Sequence, residues 1–329
     1  RMGMKIESTG QKLTRLREVF GKSGSLLIVL QDFPDPDAIG AAAALRELVR
    51  SWGEVNVVVA HGGVVGRAEN RALVRYLGIS LQAVAEVEAA DFECVAMVDT
   101  QPGTGNNSLG PGRQPGIVID HHPIRAATRK TAFHDIRSRY GATSTILYEY
   151  LVAAGLKPEI TLATALLYGI RSDTNDLGRE TTQADIDAFL SLYPSANKRM
   201  LGRIESERLP RDYFQILSKA LLNARTQGRC VLTWLGKIDN PDMIGEVADL
   251  LLRNEESSWA MCFGIYESRV LLSLRTSETG AEAGKTMQRL VGRSGSGGGH
   301  SAMAGGQIPL KSAAAAEVRK LRRTITTRY

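Results

Sequence analysis

Four short stretches hold most of the residues in this chain whose types could do chemistry. Asp35 and Asp37 stand in "VLQDFPDPDA", Asp99 ends "CVAMVD", Asp120, His121 and His122 follow "GIVI", and Asp173 closes "LLYGIRSD". Each group follows an apolar run. Carboxylates gathered in one partly buried crevice raise one another's pKa, and a divalent cation relieves that repulsion. Mixed oxygen and imidazole ligands suit Mn, Fe, Co or Zn better than Ca or Mg. A carboxylate bridging two such ions makes the two-metal arrangement used for phosphoryl hydrolysis, in which a bound water is acidified and phosphate oxygens are clamped. Taken singly, each motif has a plainer reading. "DPD" suits a turn, with Asp37 as the N-cap of the helix that follows. Asp99 could be any strand-end residue, Asp173 a helix cap, and adjacent histidines point in different directions. Their shared position at element ends, in this order, carries the metal-site reading.

The elements that must position these residues alternate. "SLLIVL" reads as a buried strand, "AIGAAAALRELVRSW" as a helix, "VNVVVA" as a strand, "RAENRALVRYLG" as a helix, and "CVAMVD" and "GIVIDHH" as two further strands. Helices from "TSTILYEYLVAAG" and "TLATALLYGI" follow. Apolar strands alternating with helices predict an α/β fold with a parallel sheet covered on both faces. Ligands of such sheets bind outside the carboxyl ends of the strands. A helical region over 181–227 is interrupted near Pro194 and Pro210. After it come the strand "CVLTWLG", the helix "MIGEVADLLLRN", the strands "WAMCFGIYE" and "RVLLSLRTS", the helix "EAGKTMQRLVG", a final strand and a C-terminal helix. The expected organisation is a parallel-sheet domain over 1–195, a helical linker over 196–212 and a smaller α/β domain over 213–329.

Composition narrows the class. The 329 residues are 43% hydrophobic and 23% charged, as in an ordinary globular protein of about two domains. No apolar run approaches the roughly 20 residues of a membrane span, and "RMGMKIESTG" lacks the apolar core of a signal peptide. Cys94, Cys230 and Cys262 lie far apart in apolar runs, which argues against a disulfide framework and fits a reducing cytoplasm. The net charge of +6 hints at an anionic ligand, although much of it lies in the tail "VRKLRRTITTRY", which also suits a solvated helix face. His61 and His134 read as rim or structural residues.

"GRSGSGGGHSAMAGG" reads as a glycine-rich loop whose N–H groups, around Gly297, Gly298, Gly299 and His300, could approach an anion closely. It lacks the Lys-Ser/Thr of a P-loop and the strand-to-helix setting of a dinucleotide fingerprint. A flexible linker is the plainer alternative. Arg275, ending an adjacent strand, could pair with a phosphate or be an ordinary surface arginine.

Together and in order, "PDPDA", "VDT", "IDHHP", "GIRSDT" and "GGGH…AGG" resemble the DHH phosphoesterase family with its DHH-associated C-terminal domain. The resemblance covers about residues 20–310, and the compact length is similar to the nanoRNase and pAp-phosphatase branch. It implies two divalent metal ions, most commonly Mn, in a cleft between the two domains. Asp35 then matches a ligand of the first metal, Asp37, His121 and Asp173 ligands of the second, and Asp99 the bridging carboxylate. His122 matches the residue beside the scissile phosphate, and Asp120 the residue orienting the histidines. Arg275 and Gly297–His300 match the groove for the substrate's nucleotide end, and Ser144 a helix start facing the site. One position departs: where the family has a histidine four residues before its first aspartate, this chain has Gln31, a weaker and neutral ligand, so the first metal site is expected to be weakened. The implied activity is hydrolysis of very short RNA or linear dinucleotides such as pGpG, and of pAp, by a cytoplasmic homodimer. Cyclic dinucleotides or phosphoanhydrides are alternative substrates, and an inactive nucleotide sensor is the non-enzyme alternative. The lack of an aromatic-basic stripe argues against a long single-strand track.

Overall fold

The computed structural model describes residues 7–110, 112–299, 301–310, 319 and 323, and the chain divides into two compact units, Arg1–Glu207 and Arg208–Tyr329. Helix α1 (Thr9–Phe20) opens the first unit on a capping box between Ser8 and Gln11. Strand β1 (Ser25–Val29), helix α2 (Pro36–Arg50), β2 (Asn56–His61), α3 (Ala68–Leu77), β3 (Leu81–Ala83), β4 (Cys94–Val98), β5 (Ile117–Asp120) and β6 (Phe133–Ile136) follow. The strands form a parallel sheet in the order β3-β2-β1-β4-β5-β6. Helices α4 (Thr143–Ala153), α5 (Ile160–Thr174), α6 (Gln183–Leu192) and α7 (Lys198–Glu205) complete the unit.

The continuous apolar strands are explained by burial on both faces. In β1, Leu26 and Ile28 enter the large core shared with the helices, while Leu27 and Val29 join Ala60, Val95, Met97 and Val118 in a second cluster. The sheet grows outward from β1 in one direction to β2 and in the other to β4. The loops leaving β1 and β4 therefore diverge and leave a crevice at their carboxyl ends, the topological switch point where open α/β sheets bind ligands. Small residues let the helices over that crevice approach closely. A Cβ on Gly40 would lie 2.9 Å from the Ala165 carbonyl oxygen, and one on Gly169 would lie 2.4 Å from Ser144 Oγ and 3.0 Å from Asp37 Cα.

The expected linker over 196–212 differs from the structure. Ala196, Leu201 and Ile204 are buried in the core of the first unit, and α7 packs against α3 and α5. Polar residues dominate this stretch in sequence, but its apolar residues fall on one helical face.

A buried ionic network ties α1, β6 and α4 together. Asp135 accepts from Lys12 Nζ at 2.5 Å, from Arg137 Nε and Nη2 at 2.9 and 2.8 Å, and from Tyr150 Oη at 2.9 Å. Burial pushes the Asp135 carboxyl up, but the Arg137 and Lys12 charges outweigh it and hold it below the usual range. The folded-state pKa lies under the unfolded one, so this stabilisation is complete above the unfolded pKa and is lost as pH falls through the folded value. Asp135→Asn is expected to cost about 3 kcal/mol at pH 7, the scale for breaking a buried ion pair. Urea unfolding at pH 7 and pH 3 checks it: the gap between variant and wild type should shrink at the lower pH.

The second unit holds α8 (Arg211–Asn223), β7 (Arg225–Gln227), β8 (Cys230–Lys237), α9 (Asp242–Leu251), β9 (Trp259–Tyr266), β10 (Arg269–Thr276), α10 (Ala283–Val291), β11 (Ser296–Gly299) and β12 (Met303–Pro309). Its sheet runs β11-β12-β10-β9-β8-β7, antiparallel except between β8 and β9. The glycine run is not the expected loop. Gly297, Gly298 and Gly299 form edge strand β11, paired with Gly306, Gly305 and Ala304 of β12. Close packing of α10 explains the glycines: a Cβ on Gly284 would meet the Gly299 carbonyl oxygen at 2.6 Å, and one on Gly306 would meet Met287 Sδ at 2.5 Å. His300 and almost all of the expected C-terminal helix lie outside the described residues. Among the described residues, no helix is long and apolar enough to cross a membrane.

Candidate metal centre

The loop after β1 delivers the first two carboxylates. Asp35, not Asp37, is the N-cap of α2: its Oδ1 accepts from Ala38 N at 2.9 Å, with Pro36 preset for the first turn. Asp37 is thereby carried into the first turn of α2 and is fully buried. There the N-terminus of α4 meets it, with Thr143 N and Ser144 N each donating to its carboxylate at 2.7 Å. The helix start expected to face the site thus meets the carboxylate of Asp37. Ser144 is fully buried, and both its N–H and its hydroxyl, 3.3 Å from the Asp37 carbonyl oxygen, hold Asp37 in place.

Asp99 follows β4 in the left-handed region, with φ 59°, where Asp is one of the few side chains tolerated. Its N–H still reaches the Ile119 carbonyl at 3.0 Å, so the turn comes one residue past the ladder. Thr143 Oγ1 donates to Asp99 Oδ1 at 2.8 Å, whereas the buried Oδ2 has no hydrogen-bond partner. His121, just past β5, has Nδ1 3.0 Å from the Tyr140 carbonyl oxygen. A carbonyl only accepts, so Nδ1 carries a proton and Nε2 is the nitrogen turned inward, toward the carboxylates. Nε2 stands 3.2 Å from Asp173 Oδ2 and 3.6 Å from Asp99 Oδ1. Asp173 itself rises from the last turn of α5.

Two sets of candidate ligand atoms come within 4.8 Å of one another: Asp37, His121 and Asp173, and Asp99, His121 and His122. They share His121. In the second set His122 Nδ1 is already 2.7 Å from Asp120 Oδ1, against 3.8 Å from Asp99 Oδ1, so Asp120 orients it. A divalent ion fits these residues. Asp99 offers an unpartnered buried oxygen, His121 an inward nitrogen, and Asp37 and Asp173 converge on the same point.

The electrostatics agree with a site built for added positive charge. Burial, then the charges of Asp173 and Asp37, push Asp35 up to about 7, and burial with Asp173 pushes Asp37 up to about 6. Burial, Asp37 and Asp35 hold Asp99 well above its ordinary value. Burial alone would lower His121, but its bond to Asp173 and the Asp99 charge outweigh it and raise its pKa well above the ordinary value. Asp120 goes the other way, since His122 outweighs burial and holds it below the usual carboxylate range.

The remaining expected residues are placed differently. Asp35 belongs to neither set, and its Oδ2 accepts from Gln31 Nε2 at 3.0 Å. Gln31 thus sits where it can bind beside Asp35, but its amide nitrogen is spent on the carboxylate. Gln31→His is expected to tighten Mn binding roughly tenfold by supplying an imidazole nitrogen, as read by calorimetric titration. Unchanged affinity and stoichiometry would place Gln31 outside the ligand sphere. Asp32 accepts from Ser108 Oγ at 2.7 Å and belongs to neither ligand set. His61 is buried at the end of β2, where burial lowers its pKa. In the second unit the Arg275 guanidinium donates from Nε to Asp249 Oδ1 at 2.5 Å and from Nη1 to Ser273 Oγ at 2.6 Å and the Leu274 carbonyl at 3.1 Å. Sequence reasoning missed Tyr140, which acts through its backbone carbonyl, and Thr143 and the fully buried Gln101, whose neutral side chains act through geometry alone.

Residues 25–170 match the DHH family, N-terminal domain, and residues 227–327 match the DHHA1 domain. The chain belongs to the DHH family. An uncharacterized protein of Methanocaldococcus jannaschii is 35% identical over 310 residues, 93% of this chain and 61% of that one. A "probable manganese-dependent inorganic pyrophosphatase" of Enterococcus faecalis is 28% identical over 180 residues, 54% of this chain and 57% of that one. The chain thus spans about three fifths of the length of these two relatives. An exopolyphosphatase-related protein from Bacteroides fragilis superposes with a TM-score of 0.72 at 15% identity, covering 98% of both chains, a likeness of fold. In this DHH-family chain the Asp120-His121-His122 triplet divides its labour. His121 faces the carboxylates, and Asp120 and His122 pair with each other.

Proposed function

We propose that this DHH-family protein is a divalent-metal-dependent hydrolase of phosphoester bonds, acting on very short RNA or linear dinucleotides such as pGpG and on pAp. The convergence of Asp37, Asp99 and Asp173 on His121, with Asp99 Oδ2 unpartnered, carries this reading. Those four residues would hold one ion, with Asp35 and Gln31 available to a second beside Asp99. Bound there, a divalent ion acidifies water and offsets charge on the phosphoryl oxygens. The protein's own part is positioning. The α4 N-terminus fixes Asp37, Thr143 fixes Asp99, and Tyr140 fixes the tautomer of His121. His122 Nδ1 is committed to Asp120, which sets the direction of the ring; when protonated, Nε2 would donate to a phosphate or leaving oxygen.

The test is a time course on 5′-phosphorylated RNA of two to ten nucleotides, with pAp, cyclic dinucleotides and inorganic pyrophosphate in parallel, each with Mn, Mg and Co. Release of mononucleotides fastest from the shortest RNAs supports the reading. Inorganic pyrophosphate is the second candidate, because the match to the Enterococcus faecalis pyrophosphatase spans half of this chain. Pyrophosphate hydrolysis without RNA turnover would replace the first reading. Tight nucleotide binding with no turnover under any metal would replace both with a sensor.

A further inference from the structure

Gln101, two residues beyond Asp99, is fully buried and makes five hydrogen bonds from one amide group. Its Nε2 donates to Asp120 Oδ2 at 2.7 Å and lies 3.3 and 3.2 Å from the carbonyl oxygens of His122 and Pro123. Its Oε1 accepts from Arg125 N at 2.9 Å and Thr128 Oγ1 at 2.8 Å. The surroundings dictate the amide's orientation: a carboxylate and two carbonyls can only accept, and a backbone N–H can only donate. The other oxygen of Asp120 receives His122 N at 3.2 Å and faces His122 Nδ1 at 2.7 Å. Gln101 therefore grips His122 twice, through Asp120 and through the His122 carbonyl, and also anchors the turn that follows.

We propose that Gln101 is a positioning residue that locks the His122 ring in its Nδ1–H tautomer. The His122 N–H holds one carboxylate oxygen of Asp120 and Gln101 the other, so the two together fix the carboxylate plane and aim Oδ1 at Nδ1. Free histidine favours the opposite tautomer, so the locked form is a recognisable signature. The catalytic consequence rests on the hydrolase reading above; the tautomer does not.

Two variants test it. Gln101→Met keeps the length and removes all five bonds. Gln101→Glu keeps the acceptor for Arg125 and Thr128 but turns an oxygen toward Asp120. With the full chain loaded with diamagnetic Mg and labelled with ¹⁵N-histidine, the His122 signals, identified by their loss in His122→Asn, are expected to show a protonated Nδ1 and a lone-pair Nε2. Both Gln101 variants should populate the other tautomer. On whichever substrate the wild type hydrolyses, kcat should fall about 10- to 100-fold, the usual scale for residues that orient a working group, with KM changed less than about threefold. A purely structural role would lower the melting temperature while leaving the tautomer intact. A wild-type His122 in the Nε2–H form, or variants with an unchanged tautomer, would overturn the proposal. If no phosphoester is hydrolysed but the tautomer shifts as stated, the hydrolase reading fails and the positioning role stands.

Discussion

Asp99→Asn is expected to reduce hydrolysis by about 10³-fold or more while making the metal-free protein more stable. The two effects have one cause. Asp99 is fully buried, and burial, Asp37 and Asp35 all oppose its ionisation. It nevertheless presents Oδ2 with no hydrogen-bond partner, the arrangement expected of an oxygen reserved for a cation. Asparagine matches aspartate in shape and also tolerates the left-handed backbone at φ 59°, so the turn survives. The Thr143 hydroxyl can still donate to the retained Oδ1. What is lost is a negative charge, and the loss of one aimed electrostatic group typically costs 10²–10³-fold in rate, more where the group also holds a metal. Without metal, that same charge only repels its neighbours. Steady-state hydrolysis with Mn and thermal melting in EDTA read the two arms. A variant that is both inactive and less stable in EDTA would show that Asp99 holds the fold rather than a cation.

In the wild type, metal removal is expected to make stability fall as pH rises from about 4 to about 7, with divalent ions abolishing most of that slope. Asp35 is pushed up to about 7 and Asp37 to about 6 from an ordinary 3.8. A carboxyl whose folded-state pKa is raised binds its proton more tightly in the native state than in the unfolded chain. Its contribution is then greatest below the unfolded pKa, declines between the two values and is flat above the folded one. The coupled cluster should cost on the order of a few kcal/mol across that window. Asp135 has the opposite sign, since its depressed pKa costs stability only at lower pH. Metal-free protein should therefore be most stable in mildly acid solution. An ion at a hundredfold excess over its Kd adds about 2.7 kcal/mol, and it should add most near pH 8, where the carboxylates are ionised. Melting temperatures from pH 4 to pH 8, in EDTA and in Mg, check this. A flat profile in EDTA would mean that the carboxylates are solvated apart rather than confined together.

Much of the first unit was legible in the sequence. Its strands are buried on both faces, so "SLLIV", "CVAMV" and "IVID" stand out as apolar runs, and the helices between them show in alanine-rich or amphipathic stretches. The short strands β3 and β6 were not legible. They lie at the sheet's edges, where one neighbour and partial exposure leave no apolar run. The glycine run was misread for a related reason. Glycine marks close approach as well as flexibility, and only the placement of α10 on β11 and β12 distinguishes the two.

The sequence by itself determined which residues carry charge and coordinating nitrogen, Asp35, Asp37, Asp99, His121, His122 and Asp173, because such side chains at the ends of apolar elements have few plain explanations in combination. It also marked Gln31 as the odd position. The tertiary structure decided what each one does. Whether Asp35 or Asp37 capped α2 depended on where the N-terminus of α4 arrived, and that N-terminus came to lie on Asp37. The different orientations of the two adjacent histidines depended on Tyr140 and Asp120, residues 19 positions downstream and two positions upstream of their respective partners. Gln101 was invisible for the same reason. A neutral amide has no chemistry of its own, and its role exists only once β4 and β5 lie side by side and bring it against Asp120. Side-chain type is a local property of the chain, whereas hydrogen-bond direction is a property of the packed fold.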